Sequence, residues 1–310
     1  MSFKISQLKL IKIVDVIIKR RLGYFSFFFG LVCAVSLGLI WYATLAKQST
    51  FATLQKLDTN LKAGEYIFNS SGCSGCHMSE DGTERSILSG GREFKTAYGH
   101  FYAPNISMSV EYGIGAWSLK DFANALRLGI SPDNEHYYPS FPYTSYNRIT
   151  DQDLADLWAF WQTLPSNETK NKEHDLFFPY SLRGTLGIWK KLFLNKDWVG
   201  GTTEVRGRYL VEALGHCAEC HTPRNSLGGF KLSSWMQGGA NPSGVGTIPN
   251  IQDLSDRWSA EEMEEYLLTG FTPDFDVVGG HMADVIENTK LLSYDDRISI
   301  YYYLKSLKND

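Results

Sequence analysis

The chain has 310 residues, 43% hydrophobic and 21% charged, which is long enough for two ordinary domains and too apolar for extensive disorder. A net charge of −4, with no basic stripe interleaved with aromatics, argues against a nucleic-acid surface. Four of the five cysteines fall in two short motifs and the fifth, Cys33, lies in an apolar run, so no pair remains for a structural disulfide.

In chain order, residues 1–21 form a basic tail, with Lys4, Lys9, Lys12, Lys19, Arg20 and Arg21 against Asp15 alone. Residues 22–46 follow without a charge. As a helix those 25 residues are roughly 37 Å long, enough to cross a bilayer with some tilt. The positive-inside bias then puts the tail in the cytoplasm and exports the rest of the chain. Trp41 and Tyr42 suit an interfacial anchor. The alternative is a cleaved signal peptide ending near Thr44-Leu45-Ala46, which the length of the apolar run disfavours. Residues 47–59 read as an anchor-proximal linker.

Two related halves come next, residues 60–165 and 203–310, joined by a segment, 166–202, too rich in Trp and Phe for a free linker. Each half carries Cys-X-X-Cys-His, at Cys73-Ser74-Gly75-Cys76-His77 and Cys217-Ala218-Glu219-Cys220-His221. In that pattern the two sulfurs form thioethers to the edge of a porphyrin, and the adjacent imidazole is delivered to the iron. The motifs therefore predict two covalently bound haem c groups, with His77 and His221 as proximal ligands. Gly64-Glu65-Tyr66-Ile67 and Gly207-Arg208-Tyr209-Leu210 lead into the motifs on predicted helices. Pro104-Asn105-Ile106 answers Pro249-Asn250-Ile251. Trp117-Ser118 opens a helix ending at Gly129 and Trp258-Ser259 one ending at Gly270, a spacing of 12 residues in both. Ser118 with Asp121 and Ser259 with Glu262 predict capping boxes. A closing helix is expected in each half, from Asp151 to Leu164 and from Tyr294 to Leu307.

An electron-carrying haem commonly takes a second protein ligand, and Met raises its potential. Met282, in Gly279-Gly280-His281-Met282-Ala283, lies 24 residues after Trp258 and is the expected distal ligand of the second haem; Met236 or His281 is the alternative. The same offset from Trp117 lands on Phe141, which cannot bind iron. The first haem then takes His136, Met108 or His100, of which His136 ranks first because it lies on the same loop as Phe141, or has no sixth ligand. Neither a dinucleotide fingerprint nor a nucleophile constellation accompanies the motifs.

These residues resemble the periplasmic multihaem cytochrome c subunits that serve membrane-bound gluconate, alcohol and sugar dehydrogenases. The likeness rests on Phe101-Tyr102-Ala103-Pro104-Asn105-Ile106, Gly113-Ile114-Gly115-Ala116-Trp117-Ser118, His136-Tyr137-Tyr138-Pro139-Ser140-Phe141-Pro142-Tyr143, the stretch Gly215 to Asn225, and Gly280-His281-Met282-Ala283. It implies a mainly α fold, with two tandem cytochrome c domains preceded by one transmembrane helix. It also implies a role as electron conduit, from a dehydrogenase subunit to a terminal oxidase, another cytochrome or quinone. Two departures stand out: the family's dehydrogenase subunits carry three haems, and their first domain reads Tyr-Pro-Ala-Met-Pro-Tyr where this chain has Phe141. An open first haem would instead allow an enzyme, peroxidase-like or oxidising a small substrate, with His100 or His136 as acid/base.

Overall fold

The computed structural model describes residues 2–79, 82, 84–201, 203–241, 244 and 246–308. The chain forms two compact units, residues 1–45 and 46–310.

The first unit is one helix, α1 (Ser2–Thr44), whose stretch Ile17–Thr44 has a mean hydropathy of 2.0 and is long and apolar enough to cross a membrane. It starts well before the predicted span because residues 2–21 contain neither Pro nor Gly to stop it, and their charges are spaced among Ile, Leu and Val. Lys19 pairs with Asp15 one turn back at 2.9 Å. Cys33 lies on this helix, exposed.

The second unit is mostly helical. Its helices are α2 (Leu61–Ser70), α3 (Cys73–His77), α4 (Leu119–Leu128), α5 (Tyr143–Tyr146), α6 (Asp151–Trp161), α7 (Leu186–Phe193), α8 (Val205–Arg208), α9 (Ala218–His221), α10 (Leu254–Arg257), α11 (Ala260–Thr269), α12 (His281–Thr289) and α13 (Tyr294–Ser306). The local reasons for these helices are the same in both halves. Ser118 and Ser259 cap α4 and α11 in complete capping boxes, and Gly129 and Gly270 end them in the left-handed conformation that costs glycine nothing. Thr150 and Ser293 cap α6 and α13 through Asp153 and Asp296 backbone N–H groups. In each half the helix before the motif crosses the closing helix at a glycine. A Cβ on Gly64 would overlap the Asp156 carbonyl and one on Gly207 the Ser299 carbonyl, so only glycine lets α2 reach α6 and α8 reach α13.

The repeat is not perfect. α8 runs into a π-helical turn, Tyr209–Leu214. Gly207 precedes Cys217 by 10 residues where Gly64 precedes Cys73 by 9, and the wider turn absorbs the extra residue.

Short strands went unpredicted. β1 (Glu93–Thr96) and β2 (Gly99–Tyr102) form a hairpin, β3 (Asp175–Leu176) adds antiparallel to β2, and β4 (Gly239–Ala240) pairs with β5 (Thr247–Ile248). None is long enough for alternation to be read, and the partner of β2 lies more than 70 residues downstream. The stretch 47–59 is not a free tether: Ser49 exchanges two hydrogen bonds with the Asn124 side chain on α4, and Leu54 is buried. One continuous apolar core spans the unit, from Phe68, Leu88, Phe122 and Leu157 to Leu210, Met236 and Tyr303. The segment between the halves touches both, since Lys190 of α7 donates to the Leu128 and Gly129 carbonyls and Trp189 donates to the Leu227 carbonyl.

Candidate functional site

Both Cys-X-X-Cys-His motifs sit on single helical turns, α3 and α9. That geometry aligns the sulfurs at i and i+3 on one side and places the histidine directly after. His77 Nδ1 lies 2.8 Å from the Pro104 carbonyl and His221 Nδ1 2.9 Å from that of Pro249. A carbonyl only accepts, so Nδ1 carries the proton and Nε2 is left as the bare donor atom in each ring. Burial pushes both imidazoles below their usual range, more than the carbonyl bond pushes them up, so each is neutral, the form that binds a metal.

The strap carrying each proline is fixed in turn by the motif. The His77 carbonyl accepts from Gly90 N–H at 2.9 Å, and that of His221 from Gly238 N–H at 2.7 Å. Both glycines have positive φ, 69° and 72°, and a Cβ on either would overlap the strap backbone at its proline, Ala103–Pro104 or Ile248–Pro249. Ile106 N–H reaches the Leu88 carbonyl as Ile251 N–H reaches that of Met236, both at 3.0 Å. Gly90 and Gly238 escaped the sequence reading because they follow their histidines at 13 and 17 residues, and a fixed offset cannot align them.

The thiols also fit haem attachment. Cys76 and Cys220 are exposed to solvent, yet burial pushes the Cys76 thiol up to about 11 and that of Cys220 above its usual range. Cys73 and Cys217, deeper in, are pushed up to about 12 by burial.

The loops after Gly129 and Gly270 are equivalent, bond for bond. Ile130 bridges His136 as Phe271 bridges Val277, and the Gly129 carbonyl accepts from Tyr137 as that of Gly270 does from Val278. Counted on from there, Phe141 falls opposite Met282, although beyond Tyr137 and Val278 the backbones part: α12 begins at His281, whereas Phe141 lies in the turn before α5. The Phe141 ring is met edge-on by Tyr137, Tyr143 and Tyr146. Met282 enters in the first turn of α12, after Gly280 at φ 59°, and packs against the main core. Its neighbour His281 is mostly exposed, beside Phe94 and 3.3 Å from Arg92. Met236, fully buried, takes the place of Leu88 on the Pro249 strap, which is the His221 side.

The candidates for the first half are dispersed. His136 shares the loop with Phe141 and takes the place of Val277. His100 sits on β2 with its Nδ1 2.6 Å from Glu93. Met108 N–H reaches the Pro165 carbonyl on the strap that follows Pro104.

The two motifs are neighbours, which no sequence signal indicated. A Cβ on Gly72 would meet His216 Nε2 at 3.8 Å, and these residues directly precede Cys73 and Cys217. Tyr146 stands between them: its hydroxyl donates to the Ser71 carbonyl at 2.7 Å and its ring meets His216 edge-on at 5.5 Å. Around this seam, Thr144 bonds Glu219, and Arg92 bonds both the Gly75 carbonyl and Asp284, the latter at 2.7 Å.

Two Cys-X-X-Cys turns, each backed by a carbonyl-tethered histidine and delivered by a helix crossing at glycine, define a c-type cytochrome. The Cytochrome c family profile matches residues 61–165. Among known proteins, a diheme cytochrome c-type of Cereibacter sphaeroides is 51% identical over 248 residues, covering 78% of this chain and 84% of that protein. The fructose dehydrogenase cytochrome subunit of Gluconobacter japonicus is 35% identical over 80% of the chain, and the gluconate 2-dehydrogenase cytochrome c subunit of Pantoea cypripedii 33% over 89%. The chain spans 52% and 64% of the lengths of those two subunits. It belongs to the family of the dihaem c-type cytochromes, carries covalent haem c and transfers electrons.

Proposed function

We propose that this chain is a membrane-anchored conduit holding two haems, one on Cys73, Cys76 and His77 and one on Cys217, Cys220 and His221. The observation that carries the reading is the seam at Gly72, Tyr146 and His216, which brings the two attachment motifs side by side within one core. A bound haem supplies a one-electron iron couple. The chain's own part is to hold His77 and His221 neutral, to aim each Nε2 at the iron, and to present Met282 to the second haem as distal ligand. In the first half Phe141, Tyr137, Tyr143 and Tyr146 wall the distal side, and His136 is the proposed sixth ligand.

α1 serves as the anchor, with its basic N-terminal end in the cytoplasm and both haem domains in the periplasm at the bacterial inner membrane. The domain limits follow the repeat: 60–165 and 203–310, with 166–202 packed between. The names of the relatives support a dehydrogenase subunit as electron donor. The acceptor is a respiratory-chain component: a terminal oxidase, another cytochrome or quinone.

The test is a pair of double variants in the full-length protein. Cys73→Ala with Cys76→Ala, and Cys217→Ala with Cys220→Ala, are each expected to lower the covalently bound haem by one per chain, measured by intact mass. A wild-type chain with a single haem would sink the two-haem reading. Oxidised wild type should be low-spin at both irons by electron paramagnetic resonance. A high-spin signal accompanied by peroxide turnover would replace the conduit with an enzyme open at the first haem.

A further inference from the structure

The two distal loops have the same backbone and exposed tips, Asn134–Glu135 and Phe275–Asp276, but their bases differ in what covers them. In the first half, Ile130 and His136 are 5% and 7% exposed; their counterparts Phe271 and Val277 are 51% and 69% exposed. The first loop is covered by the segment between the halves and by Gln48, whose side chain donates to the Ser131 and Pro132 carbonyls, both at 3.0 Å. Lys190 Nζ donates to the Leu128 and Gly129 carbonyls at 2.7 and 2.6 Å, capping the C-terminus of α4. Seven residues earlier Arg183 donates to the His136 carbonyl at 3.1 Å and faces Glu135 at 3.8 Å. Leu186, between them, is buried with Phe101 and Tyr138.

Every backbone group that receives this segment has a counterpart in the second half. The Thr269 and Gly270 carbonyls end α11 as Leu128 and Gly129 end α4, and Asp276 takes the place of Glu135. Gly279 replaces Tyr138, with nothing within 4 Å of where its Cβ would stand. Phe275 replaces Asn134. Both have left-handed backbones, φ 62° and 60°, a conformation that asparagine tolerates and a bulky aromatic does not. Phe275 is nonetheless 87% exposed, so neither backbone preference nor core packing accounts for an aromatic there. Asp274 and Asp276 flank it, both exposed.

We infer that the loop Phe271–Val277 is a docking site for a basic amphipathic helix of a partner protein, one that sets an Arg against Asp276 and, about two turns on, a Lys against the Thr269 and Gly270 carbonyls. An aliphatic side chain between the two cations covers Gly279 and the exposed rings. The acidic flank selects a basic guest, and α7 with its preceding turn is the pattern of such a guest, already seated on the equivalent loop. The site adjoins Gly280 and Met282, so a partner held there sits beside the proposed distal ligand of the second haem. The inference goes beyond the conduit reading and stands independently of it, because binding is read without electron transfer.

The probe is a synthetic peptide of residues 181–194 of this chain, titrated by fluorescence anisotropy against the full-length holoprotein in detergent. Saturable binding is expected to the wild type, weakening at least tenfold in Phe275→Ser and in Asp276→Lys. A peptide carrying Arg183→Glu and Lys190→Glu should bind at least tenfold more weakly to the wild type. Val277→Ser serves as a third variant, and unchanged haem absorbance and far-ultraviolet dichroism check folding. No saturable binding, or binding that the loop variants leave intact, overturns the proposal, the second result placing the peptide on the first half instead. Sedimentation showing a wild-type dimer that Phe275→Ser dissociates also overturns it, assigning the face to a second copy of the chain.

Discussion

Phe141 and Met282 stand at the same offset in the two halves, and on the proposed reading the exchange of a ring carbon for a thioether sulfur sets the two haems apart. A thioether opposite an imidazole favours the reduced iron and raises the potential. Met282→Ala is therefore expected to lower the potential of one haem and leave the other in place, seen as one shifted wave of two in a redox titration. Two unshifted waves would mean that another side chain caps the second iron. His136→Ala is expected to turn the first haem high-spin, with its low-spin resonance lost from the spectrum. Retention of that resonance would move the ligand to Met108 or His100, although Glu93 at 2.6 Å already engages the latter.

At the scale of elements, the helix crossings carry the design. α2 meets α6 at Gly64 and α8 meets α13 at Gly207, each glycine against a carbonyl of the facing helix. Adding a methyl forces the backbones apart, and overpacking of this kind costs about 1–3 kcal/mol. Gly64→Ala and Gly207→Ala should each lower the unfolding free energy by that much, read as a lower denaturant midpoint, while an alanine at exposed Gly184, which has open space around it, should not. Equal midpoints for all three variants would show that the crossings can relax. The capping boxes and motif turns were legible in the sequence because each is local and recurs at a constant spacing, whereas the glycine crossings join helices about 90 residues apart and show only in the folded chain. The straps at Gly90 and Gly238 were not legible either, since the intervening loops differ in length, and the π-helical turn passed unseen because one inserted residue leaves the flanking motifs intact. The seam of Gly72, Tyr146 and His216 joins residues with no shared spacing, so only the folded chain brings them together.

At the scale of the whole second unit, the halves are also tied by a hydrogen bond to a charged group. Asp296, on α13, accepts Arg206 Nε at 2.7 Å and a bond from Tyr66, which lies on α2 of the other half. Burial pushes the Asp296 carboxyl up, but the bonds from Arg206 and Tyr66 outweigh it and hold the group below its usual range. A carboxyl with a depressed folded pKa binds fewer protons folded than unfolded near that pH, so its contribution is full above the unfolded value of about 3.9 and is lost as pH falls through the folded one. Removing the charge breaks bonds to an ionised group, worth about 1.5–3 kcal/mol, and the partial exposure of Arg206 puts this case at the lower end. Asp296→Asn is therefore expected to destabilise the protein by about 1.5 kcal/mol at pH 7 in guanidinium unfolding, with the gap from wild type closing as pH falls through the depressed folded pKa, below which both carry a neutral side chain. A gap that persists undiminished in acid would mean that Asp296 acts there through shape and hydrogen bonding alone, and that its charge does not hold the halves together.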